Sequence, residues 1–184
     1  MRCFIAIDVD RQLFDKIAQL QKGINKLNVE VKLVEPENLH FTVKFLGDMN
    51  EDEVNEVKNS LGECLKNERE FKINIAGFNY FGNLNYIRTL WLDVKEGRNE
   101  LKKLVQMVND CVKIGNVEVS PHLTLGRVKS PINKDHLIKF IDDNKNVKIG
   151  EMNVNYVKLK TSTLTKNGPV YNNLAVFNLV PCYE

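Results

Sequence analysis

The chain has 184 residues, a formal net charge of +2 and 43% hydrophobic residues, with a sequence pI near 8.3. That composition can bury a proper core, and the length fits one domain or two intimately joined lobes. The weak positive balance argues against a protein that coats long duplexes, and suits a small phosphate-bearing substrate or an RNA end.

Taken in chain order, residues 2–9 read as a buried strand, and Met1-Arg2-Cys3 runs into it with no visible signal peptide. Asp10 is placed to cap a helix over about 11–27, whose core face is Leu13, Ile17, Leu20, Ile24 and Leu27. A short strand follows at Val31–Val34, then Pro36, then a strand over 39–46 that stops at Gly47. Glu51, Asp52 and Glu53 favour the start of a helix at about 51–66. Phe71 to Phe81 is strand-like with a parity change at Gly77 that predicts a bulge. A polar loop at 82–87 leads to a strand from Arg88 to Val94 around Trp91, and a helix at about 98–113 ends near Gly115. After a short strand, Pro121 introduces a strand over 122–128, and a short helix spans 134–143. The last forty residues read as two long strands, 148–164 and 170–180, joined by Thr165–Pro169. This order predicts an α+β fold of mostly antiparallel sheets with outer helices, with residues 1–184 forming one domain of two joined lobes.

No apolar run approaches the ~20 residues of a membrane helix, so no membrane partner is expected. Cys3, Cys64, Cys111 and Cys182 are scattered, with no metal-ligand spacing. Cys64 and Cys111 fall on apolar helical positions and read as buried free thiols, which points to the cytoplasm. Nothing suggests more than a monomer.

Two stretches echo each other: His40-Phe41-Thr42-Val43 and His122-Leu123-Thr124-Leu125. In a strand, alternate residues share a face. Each copy therefore presents an imidazole and a hydroxyl on one side and apolar residues on the other. His136 has no such context and reads as a surface residue of a short helix. Imidazole, with a pKa near ~6.5, serves as acid or base at neutral pH. Two of them on opposite sides of a phosphorus suit in-line displacement, and threonine hydroxyls suit non-bridging oxygens. A His-based metallohydrolase lacks the carboxylate or His partners that complete a three-ligand site, so neither metal nor other cofactor is expected. A non-catalytic module that binds RNA ends or nucleotides remains the alternative. It does not need two titratable groups.

The segments Asn38–Gly47, Pro121–Arg127 and Leu164–Tyr171 resemble the blocks of the two-histidine (2H) phosphoesterase superfamily. Within it they are most similar to the RNA 2′,3′-cyclic phosphodiesterase group, also called the 2′-5′ RNA ligase family. The resemblance covers nearly the whole chain. It implies two sheets related by a pseudo-twofold axis around a central cleft, and hydrolysis of 2′,3′-cyclic phosphate RNA ends to 2′-phosphomonoesters, with reversible 2′-5′ RNA ligation to a 5′-hydroxyl as a variant. It further implies His122 as base and His40 as acid, roles the residues alone do not distinguish. By the same resemblance Phe45 and Arg127 grip the terminal nucleotide between ring and guanidinium. Two obstacles stand in the sequence. Phe45 shares strand parity with the core residues Phe41 and Val43, so a core position is equally open to it. Arg127 has the wrong parity relative to His122 unless the strand bulges at Gly126.

Overall fold

The computed structural model describes residues 1–117, 120–166 and 168–182. Nine strands and four α-helices follow in the order β1 (Arg2–Asp8), α1 (Phe14–Asn25), β2 (Val31–Leu33), β3 (His40–Asp48), α2 (Glu51–Leu65), β4 (Phe71–Asn83), β5 (Tyr86–Val94), α3 (Arg98–Cys111), β6 (Leu123–Val128), α4 (Lys134–Asn144), β7 (Lys148–Val154), β8 (Tyr156–Thr165) and β9 (Gly168–Asn178). Asp10 caps a 3₁₀ turn at Arg11–Leu13 that runs into α1. Asn50 and Glu53 form a reciprocal capping box at the start of α2, which satisfies two of its orphan amides.

The strands lie in the order β7-β4-β5-β6-β3-β1-β8-β9, with β2 paired to β6. Every named strand pair is antiparallel. The two expected sheets are thus two four-strand halves, β7-β4-β5-β6 and β3-β1-β8-β9, each ending on one His-x-Thr strand. They join through the pair Phe41↔Leu123. These two residues hold the same place in their motifs, so the pseudo-twofold axis passes between them.

Helices cover one face of the curled sheet. Helix α1 lies over the β6 half: Gln21 donates to the Val34 and Leu125 carbonyls, and Gly23 sits against Phe140 of α4. Helices α2 and α3 cover the other half, reaching β9 and β3. The apolar stripes of all four helices meet Ile5, Phe41, Val43, Leu90, Leu92, Leu123 and Leu125 in one core cluster that runs through both halves. That leaves the opposite face of the central strands for chemistry.

Four expectations change. The strand expected at 148–164 is two strands, interrupted at Asn155, where the chain leaves the β4 edge for β1 in the other half. The polar loop at 82–87 shrinks to a tight hairpin, because β4 extends to Asn83 and β5 begins at Tyr86. The short strand before Pro121 is reduced to one bridge, Phe45↔Asn116, and Glu118 and Val119 lie outside the described residues. Cys64 and Cys111 are joined as a disulfide between α2 and α3, with Cα atoms 6.3 Å apart. They are not free thiols, and Cys111 is exposed, because a helical stripe fixes a face and not the neighbour across it. The bulge expected at Gly77 is present, at φ 92°, between the Ile75 and Phe78 pairings.

Candidate active site

The register at the joint builds the site. With Phe41 opposite Leu123 in an antiparallel pair, His40 lies opposite Thr124 and Thr42 opposite His122. Phe41 and Leu123 are fully buried in the core, so their four neighbours turn to the other face. Both imidazoles and both hydroxyls therefore gather on one patch of the sheet, each half buried. His136 is exposed on α4 and stands outside it.

Two matching bulges then settle Phe45 and Arg127. On β3, Thr42 pairs with Ala6 but Lys44 pairs with Ile5, so Val43 is an extra residue. Phe45 consequently pairs with Phe4, on the same side as Ala6 and Asp8, the partners of Thr42 and His40. It is 47% exposed, so the core position is ruled out. On β6, Thr124 pairs with Trp91 but Gly126 pairs with Leu90, so Leu125 is the extra residue. Arg127 then pairs with Thr89, on the face of Trp91 and Thr124. Contacts from distant parts of the chain accompany each bulge. The Leu125 carbonyl is taken by the Val34 amide at 2.8 Å and by Gln21. On β3, the buried Lys44 points inward and donates to Asn109 at 3.0 Å. Gly115 passes so close to Phe45 that a Cβ there would overlap the Phe45 carbonyl, and the next amide, Asn116, hydrogen-bonds that carbonyl.

Each histidine is oriented in the same way. His40 Nδ1 lies 2.6 Å from the Asn38 carbonyl, and His122 Nδ1 lies 2.8 Å from the Ser120 carbonyl. A carbonyl only accepts, so Nδ1 carries the proton in both rings and donates it. Nε2 takes no part in those bonds, and such a nitrogen can serve as a base when bare and as an acid when protonated. Aromatic rings fix the planes. Phe4 and Tyr171 meet His40 with centroids at 5.1 and 5.5 Å. Phe81 and Trp91, stacked on each other, meet His122 at 4.8 and 5.9 Å. Tyr171 is in the third block of the sequence resemblance, at Leu164–Tyr171. Phe4, Phe81 and Trp91 come from outside the motifs and sequence reasoning missed them.

Charge near the site is uneven. Asp8, the strand partner of His40, accepts from Lys158 at 2.7 Å and Lys160 at 2.5 Å. Burial alone would raise the Asp8 pKa, but these two hydrogen bonds and charges outweigh it and hold the carboxyl below its usual range. Burial also lowers the His40 pKa, the Asn38 carbonyl works against that, and Lys160 adds to the lowering. The sequence signal for this triad was the alternation of Lys158 and Lys160 with core residues Val157 and Leu159, which marks two cations on one strand face. Among the described residues no three His, Cys, Asp or Glu side chains cluster as metal ligands. No helix of the described residues is long and apolar enough to cross a membrane.

Fold and site together define an α+β protein of two half-sheets that meet at paired His-x-Thr strands. Comparison with known proteins places it. The model of the LigT-like phosphoesterase family matches residues 7–91 and 92–171 as two successive copies. The chain is 40% identical to the RNA 2′,3′-cyclic phosphodiesterase of Methanothermobacter thermautotrophicus, covering 97% of this chain and 99% of that one. It is 38% identical to the protein of the same name from Methanocaldococcus jannaschii, over 93% and 96%. Among solved structures, a Thermus thermophilus protein superposes with a TM-score of 0.80 at 25% identity, over 97% of this chain and 98% of that one. E. coli LigT complexed with 3′-AMP superposes at 0.75 with 19% identity, over 97% and 96%. This chain belongs to the LigT-like phosphoesterase family.

Proposed function

We propose that the protein hydrolyses 2′,3′-cyclic phosphate ends of RNA to 2′-phosphomonoesters, with residues 1–184 acting as one bilobed, monomeric unit. The observation that carries this reading is the pair of Nδ1–carbonyl hydrogen bonds, which leave Nε2 of each ring out of those bonds on the sheet face that the two threonines share. Curated relatives at 40% and 38% identity are named for this activity.

In the proposed step, His122 Nε2 removes a proton from water and the water oxygen attacks phosphorus. The bond from phosphorus to O3′ breaks, and His40 Nε2–H gives its proton to that oxygen. A 2′-phosphomonoester and a free 3′-hydroxyl remain. Thr42 and Thr124 donate to the non-bridging oxygens, where charge builds up. Arg127 and Phe45 hold the terminal nucleotide between guanidinium and ring. Neither metal nor other cofactor enters this scheme. With a 5′-hydroxyl in place of water as the attacking group, His122 takes the proton of that hydroxyl and the hydroxyl oxygen bonds to phosphorus. The bond to O3′ breaks and His40 protonates O3′, so that two RNA ends are joined through a 2′-5′ bond. In dilute RNA hydrolysis dominates. Activity on RNA ends supports a cytoplasmic setting, whereas the Cys64–Cys111 bridge removes the thiol argument for it. Incubation with an oligoribonucleotide ending in a 2′,3′-cyclic phosphate tests the activity. A 2′-phosphate product supports it, and tight binding without turnover would favour the binding-module alternative.

The lowered His40 pKa makes the pH profile informative. The kcat/KM profile reports the free enzyme and should be bell-shaped. An acid must be protonated, so with His40 as the acid kcat/KM falls as pH rises through a value below the usual imidazole range. The negative charge of a bound phosphodiester offsets the Lys160 charge and restores the acid form, so the alkaline limb of kcat lies higher. Lys160→Met removes a cation that lowers the His40 pKa and should move the His40 limb to higher pH. Movement of the alkaline limb assigns His40 as the acid. Movement of the acidic limb reverses the two roles, and an unmoved profile contradicts the influence of Lys160.

A further inference from the structure

The cations on the cleft face fall into two groups. Lys158 and Lys160 are committed to Asp8. Lys32 and Arg127 have no ion-pair partner among the described residues, and both are exposed. These two are also direct strand partners: β2 pairs with β6 so that Lys32 stands opposite Arg127. Partners in an antiparallel pair share a face. Because the Leu125 bulge turns Arg127 to the side of Thr124, it turns Lys32 there as well. The flanking pairs Val31↔Val128 and Leu33↔Gly126 face the core, where Val31 and Leu33 pack. Lys32 Nζ then reaches the β8–β9 hairpin of the other half, 4.0 Å from where a Cβ on Gly168 would stand. That hairpin is tied to the first motif, because Asn38 donates to the Pro169 carbonyl at 3.4 Å. Tyr171 of β9 lies near enough to Arg127 to feel its charge.

The result is an ammonium that reaches across the cleft and a guanidinium on the paired strand, neither in an ion pair among the described residues, to one side of the four motif residues. On β5 the partners of Thr124 and Arg127, Trp91 and Thr89, are two residues apart. At ~3.3 Å per residue that is roughly 7 Å along the strand, about the step from one phosphate of an extended RNA strand to the next. We propose that Lys32 binds the phosphodiester immediately 5′ of the terminal nucleotide, with Arg127 beside it, so that the enzyme selects the end of an RNA chain over a free cyclic mononucleotide. The subsite rests on the cyclic phosphodiesterase reading. A nucleoside 2′,3′-cyclic phosphate fills the motif residues and leaves Lys32 idle, whereas a dinucleotide places a charge against it.

The experiment compares kcat/KM on a nucleoside 2′,3′-cyclic phosphate with a 5′-hydroxyl and on a dinucleotide ending in the same group. Wild type, Lys32→Ala and Lys32→Arg are assayed, and circular dichroism checks that each folds. Lys32→Ala should lose about tenfold on the dinucleotide, as for one charge-assisted contact. It should be unchanged on the mononucleotide, and Lys32→Arg should recover most of the loss. Binding of the unreactive 2′-phosphate dinucleotide should lose ~0.7 from its slope of log K against log salt. Equal losses on both substrates would place Lys32 on the scissile phosphate, and no loss on either would make it a solvated surface charge. Either result overturns the subsite while wild-type turnover upholds the activity. A wild type inert on both substrates would overturn the activity instead. The salt slope would then judge the subsite alone, and an unchanged slope in Lys32→Ala would overturn it.

Discussion

Replacing His40 or His122 by alanine is expected to lower kcat/KM by about 10²–10⁴-fold each, the usual worth of a general acid or base. His136→Ala should leave it nearly unchanged, since that ring is exposed on α4 away from the joint. The pseudo-twofold arrangement gives the comparison its force. Each ring has the carbonyl of the residue two positions earlier on its Nδ1 and two aromatic rings against it, Phe4 and Tyr171 for His40 and Phe81 and Trp91 for His122, so each loss reports the missing Nε2 and not a local collapse. The threonines should follow at a lower level. A hydrogen bond to a charged group is worth ~1.5–3 kcal/mol, so Thr42→Ala and Thr124→Ala should cost about 10- to 150-fold. Steady-state kinetics on one cyclic substrate covers the whole series. Near wild-type turnover in either motif histidine variant would contradict the two-histidine mechanism.

The second large effect is on stability. The Cys64–Cys111 bridge closes a loop of 47 residues between α2 and α3. By chain-entropy reasoning, such a cross-link contributes about 4 kcal/mol by restricting the unfolded chain. For a chain of this size, 1 kcal/mol moves Tm by roughly 2–4 °C, so the double variant Cys64→Ala/Cys111→Ala should melt about 8–16 °C lower. Calorimetry of the wild type with and without a strong reductant should show the same gap, and the double variant should not respond to the reductant. A wild-type Tm indifferent to reductant would contradict the bridge. Activity at low temperature should change little, because both cysteines lie on the helices, across the sheet from the cleft.

How much of this was legible in the sequence depends on the range of the interaction. The His-x-Thr repeats announced themselves because a period-two pattern is local, and the helices did so through their stripes. The bulge at Gly77 could be read because glycine marks a positive φ. The bulges at Val43 and Leu125 carry no comparable signal, although Gly126 hinted at the second. They arise because Gln21 and the Val34 amide claim a carbonyl on β6, and because Lys44 is drawn inward to Asn109. Both side-chain contacts cross more than fifty positions of sequence. Those bulges decide the fate of Phe45 and Arg127, so parity alone left Phe45 undecided. The break at Asn155 was hidden for a similar reason. Strand propensity is continuous from 148 to 164, and only the choice of partner, β4 for β7 and β1 for β8, divides the segment. The Cys64–Cys111 pairing and the Asp8–Lys160 contact likewise join residues that no spacing rule connects.

The most direct test of the central claim is the product formed by wild-type protein after exhaustive EDTA treatment and dialysis. Two imidazoles bound to a metal could not also act as acid and base, so the two mechanisms give opposite results. With an oligoribonucleotide carrying a 2′,3′-cyclic phosphate, the two-histidine account predicts undiminished turnover to a 2′-phosphomonoester with a free 3′-hydroxyl. Loss of activity that a stoichiometric divalent metal restores would contradict it, and would recast His40 and His122 as ligands.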